Sequence, residues 1–152
     1  MNQPPSSLDR RLQQLTLDLR PEVRPTLANF IVGPNQALLA ALRRQRVATD
    51  GSWLYVWGAP GSGRSHLLQA IVSESLASGR SSAYMPADSG GDWLLEQGQF
   101  LALDDVDQLD APGQAALFRA LIQAPAAQAS LVLAGHAPPQ QLSLREDVRT
   151  RI

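Results

Sequence analysis

Four short apolar runs, each stopped by glycine, proline or an acid, divide the chain, and the segments between them carry helical spacing. Trp53–Trp57 stops at Gly58, 82–85 at Pro86, 100–103 at Asp104 and 130–134 at Gly135. Runs this short, apolar throughout or nearly so, predict strands buried on both faces of a parallel sheet. Apolar residues recur every three or four positions over 35–48 (Leu38, Leu39, Leu42 and, at its end, Val47), which predicts a helix with Arg43, Arg44 and Arg46 on its solvated side. The same period marks 64–78 through Leu67, Leu68, Ile71, Val72 and Leu76, and 112–124 through Ala115, Ala116, Leu117, Leu121 and Ile122. The charged end, 145–152, reads as helix. Between the second and third strands Gly90-Gly91 blurs the pattern, and Trp93-Leu94-Leu95 predicts a short helix packed on the sheet. Strand and helix alternate, so the expected class is α/β.

Ahead of the first helix the periodicity fails. Residues 1–25 hold four prolines and scattered charge, the composition of a flexible tail, and the domain is expected over 26–152. Within the tail, Gln14-Leu15-Thr16-Leu17-Asp18-Leu19 alternates, so an extended chain puts Leu15, Leu17 and Leu19 on one side. That suits an edge strand, the end of an amphipathic turn begun at Leu8 and Leu12, or a linear peptide laid into a partner's pockets. A formal net charge of -1 over 152 residues gives no global pull towards nucleic acid or acidic membranes. The chain has no cysteine, which excludes a disulfide framework and thiolate metal sites.

The chemistry concentrates where the first strand meets the following helix. Gly58-Ala59-Pro60-Gly61-Ser62-Gly63-Arg64-Ser65 has the spacing of a phosphate-binding P-loop, with arginine where lysine is usual. Gly58, Gly61 and Gly63 let successive N–H groups turn inward, and the helix that follows adds its positive dipole end. Arg64 supplies a cation as a planar fork, and Ser65 a hydroxyl suited to Mg²⁺. Some forty residues on, Asp104 ends a buried strand, placed to hold Mg²⁺, with Asp105 placed to orient an attacking water. Asp107 reads as a surface residue or a helix entry. His136, just past the last strand, is the histidine better placed to approach a terminal phosphate, or is simply solvated. His66, next to Ser65, reads as structural.

Taken together, Asn29-Phe30-Ile31-Val32-Gly33-Pro34-Asn35, the run Trp57 to Leu68, Leu101-Ala102-Leu103-Asp104-Asp105, 134–142 and the final Arg149-Thr150-Arg151 resemble the AAA+ nucleotide-binding domain of the DnaA family, and within it the Hda-like regulatory inactivators of DnaA. The resemblance implies a three-layer P-loop NTPase core that holds ADP or ATP with Mg²⁺. It places Gly58 to His66 and His136 at the nucleotide, and Ser65 and Asp104 at the metal. It makes Gln14, Leu15, Leu17 and Leu19 a peptide for the β sliding clamp of DNA polymerase III, with Asp18 where proline is familiar. Arg151 matches the arginine finger that reaches a neighbour's nucleotide.

The implied function is to promote hydrolysis of ATP on DnaA and so restrain re-initiation, in the bacterial cytoplasm and without sequence-specific DNA binding. Self-association stays open. A self-contained ATPase or loader, and a clamp-binding adaptor with a degenerate nucleotide site, are the alternatives. Two departures from the family point to weak turnover by the chain itself: Asp105 stands for a longer glutamate, and His136 for an acidic or polar residue. The chain also stops at Ile152, before the family's final strand and helical lid, which leaves the Trp53–Trp57 edge open in the expected sheet.

Overall fold

The computed structural model describes residues 25–27, 33, 35–90 and 92–152; the 14–19 peptide and the Phe30-Ile31-Val32 run lie outside them. The two most continuously apolar runs form the centre of the sheet. β1 spans Trp53–Trp57, β2 Ser82–Pro86, β3 Phe100–Asp104 and β4 Ser130–Gly135. All pair in parallel in the order β1-β4-β3-β2, and β3 and β4 are buried along their whole length. Each remaining strand has one paired edge, and the outer edge of β1 carries no further strand among the described residues.

Alternation along the central strands splits the core in two. Phe100, Ala102, Val132 and Ala134 face α1 (Gln36–Val47) and α2 (Arg64–Ala77), packing with Leu39, Leu42, Leu68 and Ile71. Leu101, Leu103, Leu131 and Leu133 face α3 (Ala111–Gln123) and α4 (Glu146–Arg149), packing with Leu117, Leu121 and Val148. Helices on both faces of a parallel sheet make the three-layer α/β architecture that the sequence predicts.

Several local expectations change. Val47, Leu76 and Ile122 keep the helical period but lie 63%, 53% and 50% exposed, because each helix buries a narrower stripe than its apolar residues could supply. Trp93-Leu94-Leu95 forms no helix: the chain there is irregular, with Trp93 in the core and Leu94 79% exposed. Helix α3 begins one residue early, at Ala111, since the Asp110 carboxylate accepts the Gly113 N–H at 2.8 Å as an N-cap. Arg46 is half-buried, not solvated, and donates to the Glu74 carbonyl of α2 at 3.3 Å. Arg80, which the hydrophobic pattern leaves unexplained, donates to the carbonyls of Arg46, Ala48, Gly98 and Gln99. It thereby ties the end of α1 to the start of β3.

Candidate functional site

A parallel sheet brings the C-terminal ends of its strands to one edge, and the predicted chemical residues meet there. The β1–α2 loop is built by close approach. Gly58 donates its N–H to the Gly135 carbonyl at 3.2 Å, and a Cβ on Gly58 would stand 2.7 Å from Ser62 Oγ. Gly61 and Gly63 have φ of +80° and +87°, the left-handed region that glycine enters freely. Gly63 is the N-cap of α2 and offers no side chain to its first turn, so the N–H groups there are left for a ligand.

Arg64 opens α2 with its side chain 13% exposed. One guanidinium nitrogen, Nη2, donates to Asp105 Oδ1 at 3.2 Å, while Nη1 is buried with no partner among the described residues. Asp105 stands at φ +48° where β3 leaves the sheet. Burial and the neighbouring Asp104 raise its carboxyl above the usual carboxylate range, against the pull of Arg64. Asp104 is 1% exposed. Its Oδ1 accepts the Asp105 N–H at 2.9 Å and its Oδ2 accepts the Tyr84 hydroxyl at 2.8 Å. Burial, and then the bond to Asp104, raise the Tyr84 hydroxyl's pKa.

Of the two expectations for Asp107, helix entry holds and surface exposure does not. It sits in a single 3₁₀ turn, Val106–Gln108, that folds its side chain back to 3% exposure. There Oδ2 meets His136 Nδ1 at 2.5 Å and Oδ1 accepts the His136 N–H at 3.1 Å. Burial alone would raise the Asp107 carboxyl; the bonds from His136 and Gln108 outweigh it and leave the group below its ordinary value. Tyr55 completes this corner, donating to the Ala137 carbonyl at 2.7 Å, with its hydroxyl pushed up to about 12 by burial and by Asp107.

An open cleft of about 480 Å³ separates the two sides. Gly61, Arg64 and Ser65 line it from the loop, and Asp105, Asp107 and His136 from the strand ends. A smaller recess of about 160 Å³ opens by Asn35, Leu38, Val56 and Trp57, an apolar neighbour to the loop that the sequence pattern does not announce. A hollow of about 510 Å³ near α3, beside Trp93 and Arg119, holds none of the loop residues. His66 Nε2 lies 3.1 Å from the Thr26 carbonyl oxygen. Arg151 is exposed, its guanidinium over the Phe118 ring of α3 at 5.1 Å from the centroid, and it is not among the residues lining the cleft.

These residues suit a nucleotide's phosphates. The loop has a backbone cradle that a Cβ at Gly58 would crowd, and Arg64 keeps a buried nitrogen in need of an acceptor. Mg²⁺ fits less directly. Each Asp104 oxygen already has one donor, and a carboxylate oxygen has a lone pair left for a second. That suits contact with the waters Mg²⁺ retains better than direct ligation.

The fold is a three-layer α/β core of the AAA+ P-loop type: loop strand and acid strand lie one strand apart, and β4 between them delivers a polar residue to the cleft. The solved structures agree on the fold. A replication initiator DnaA bound to AMPPCP and single-stranded DNA matches with TM-score 0.71 at 23% identity, over 84% of this chain and 46% of that one. Domain III of DnaA from Thermotoga maritima matches with TM-score 0.64 at 22% identity, over 83% and 62%. Protein NMB1076 from Neisseria meningitidis is 34% identical over 81% of this chain and 82% of its own length, with TM-score 0.52. The chain thus spans about half the length of the DnaA structure that it matches at 0.71. No protein-family profile matches it.

Two contributors escape the sequence reading. Tyr84 could have been suspected from a polar aromatic near the C-terminal end of a predicted strand. Asp107 carries a weaker signal, since nothing in its own neighbourhood shows that the last strand's exit would cover it.

Proposed function

We propose that this protein is a DnaA-related, Hda-like regulator of replication initiation, working in the bacterial cytoplasm. It holds ADP or ATP on the Gly58–Ser65 loop, with Ser65 and the water-contacting Asp104 towards Mg²⁺. It docks on the β sliding clamp through Gln14, Leu15, Leu17 and Leu19, and it presents Arg151 to ATP held by DnaA. An arginine supplied across an interface neutralises charge that develops in phosphoryl transfer, and is worth roughly 10³–10⁵ in rate. The observation that carries this reading is the separation of the two cations: Arg64 lines the cleft, whereas Arg151 is exposed outside its lining, free to serve a neighbour's nucleotide. Slow turnover by the chain itself fits the engagement of Asp105 by Arg64.

The test is hydrolysis of DnaA-bound ATP in the presence of DNA-loaded clamp. Arg151→Ala should abolish stimulation and leave clamp binding intact. Stimulation unchanged by this substitution would refute the finger assignment, and clamp binding unchanged by Leu17→Ala with Leu19→Ala would refute the docking peptide.

A further inference from the structure

Asp104 ends β3 almost wholly enclosed, and each of its oxygens already has a donor. Oδ1 accepts the Asp105 backbone N–H at 2.9 Å, and Oδ2 accepts the Tyr84 hydroxyl at 2.8 Å. The first bond is local to the strand's end. The second is brought by the sheet. β2 pairs with β3 so that Tyr84 lies opposite Ala102 and Pro86 opposite Asp104. Residues two apart in a strand share a face, so Tyr84 and Asp104 are diagonal neighbours, a span that a long aromatic side chain covers. The half-buried ring packs against the core on the α1 and α2 side, which restricts the swing by which its hydroxyl could leave Asp104. Side-chain hydrogen bonding from Gln69 and Ser65 of α2 acts on the same hydroxyl. Tyr84 therefore joins the loop's serine to the strand's acid, the two side chains that face the same cation in the nucleotide reading.

We propose that Tyr84 is a positioning residue that holds Asp104 in contact with a divalent cation's waters and out of its coordination shell, so that the cation adds little to nucleotide affinity. This rests on the nucleotide reading above. Mg²⁺ gives up water reluctantly, and a carboxylate displaces one best with an uncommitted oxygen. Oδ2 keeps one lone pair beside the tyrosine, enough to accept from a water. A cation seated on Oδ2 itself would meet the positive end of the hydroxyl dipole. Pushing the hydroxyl aside would leave a half-buried phenol without its acceptor. The phosphates are held instead by the loop N–H groups and Arg64, which need no metal to do so.

The experiment is calorimetry of ADP binding on the full chain, with EDTA and with saturating Mg²⁺, which reads the cation's contribution as a ratio of two affinities. In the wild type that ratio should stay below about tenfold, less than one hydrogen bond to a charged group is worth. Tyr84→Phe keeps the ring and removes only the hydroxyl. It should raise the ratio about tenfold and change the metal-free affinity less than about twofold. Asp104→Ala should lower the wild-type ratio less than about threefold, as loss of a water-mediated contact predicts. In the Asp104→Ala background Tyr84→Phe should leave the ratio unchanged, because the tyrosine acts through the acid.

A Tyr84→Phe ratio equal to that of the wild type would overturn the proposal. So would a Tyr84→Phe effect that persists without Asp104, which would mark a packing role. A wild-type ratio above the stated limit, or a larger loss in Asp104→Ala, would show direct ligation, and these two measurements decide the matter even if Tyr84→Phe fails to fold. Absence of ADP binding by the wild type, with or without Mg²⁺, would overturn the nucleotide reading and this proposal with it, whereas binding with an unaltered Mg²⁺ ratio would overturn the role of Tyr84 alone.

Discussion

Gly135 ends β4 where three residues of the site converge, and replacing it with alanine tests how tightly that corner is built. A Cβ there would stand 2.3 Å from the Tyr55 hydroxyl oxygen, 3.2 Å from Tyr55 Cζ and 3.0 Å from Asp107 Oδ1. Neither neighbour can step aside freely. The Tyr55 hydroxyl is held by the Ala137 carbonyl at 2.7 Å, and Asp107 by His136. Over-packing of a close-fitted site costs about 1–3 kcal/mol, and a displaced hydroxyl loses about 1 kcal/mol more, so Gly135→Ala should destabilise by about 2–4 kcal/mol. For a chain of this size that lowers the melting temperature by roughly 5–15 °C.

The control is Tyr55→Phe, which alone should cost about 1 kcal/mol through the unpartnered Ala137 carbonyl. Combined with Gly135→Ala it removes the nearest atom and leaves the contacts at 3.0 Å to Asp107 Oδ1 and 3.2 Å to Tyr55 Cζ, so the double variant should be more stable than Gly135→Ala by itself. Thermal denaturation of the four proteins measures the coupling. A Gly135→Ala protein melting within a degree or two of the wild type would refute the packing argument. A double variant no more stable than Gly135→Ala would show that the hydroxyl is not the obstacle.

Three further outcomes follow from the cleft. Arg64→Ala should weaken ATP and ADP together by roughly ten- to a hundredfold, as loss of charged hydrogen bonds predicts, with Arg64→Lys recovering much of it; equal affinity in Arg64→Ala would show that the buried nitrogen does not serve phosphate. The same change should alter stability by no more than about 1 kcal/mol, because Asp105 in the broken pair is 45% exposed. Acid stability should register Asp107: its folded-state carboxyl titrates below the ordinary 3.8, so its contribution is full above that value and lost as pH falls through the folded-state value. Urea denaturation from pH 7 to pH 3 should therefore show the wild type ahead of Asp107→Asn at neutral pH, with the gap closing only below about pH 4. A gap that does not change over this range would contradict the ionised, hydrogen-bonded state of Asp107.

Much of this protein is written in local sequence. Unbroken apolar runs can be buried only in a sheet covered on both faces, so 100–103 and 131–134 announce the central strands without help from the rest of the chain. The loop is equally legible, because glycine spacing, a cation and a helix start are set by neighbours in sequence. Asp104 at a strand's end follows from the same parallel arrangement.

What the fold alone decides is which groups from different strands meet. Strand order puts β4 between the loop strand and the acid strand, and so brings His136 over Asp107; no spacing along the chain encodes that order. Tyr84 reaches Asp104 because β2 pairs with β3 in one register. Arg80 finds carbonyls from residues 46 to 99. Polar side chains show no periodicity of their own, and their pairing energies depend on what burial brings within reach. Hydrophobic pattern therefore settled the architecture, while the partners of Asp107, Tyr84 and Arg80 were settled only when the strands closed into a sheet.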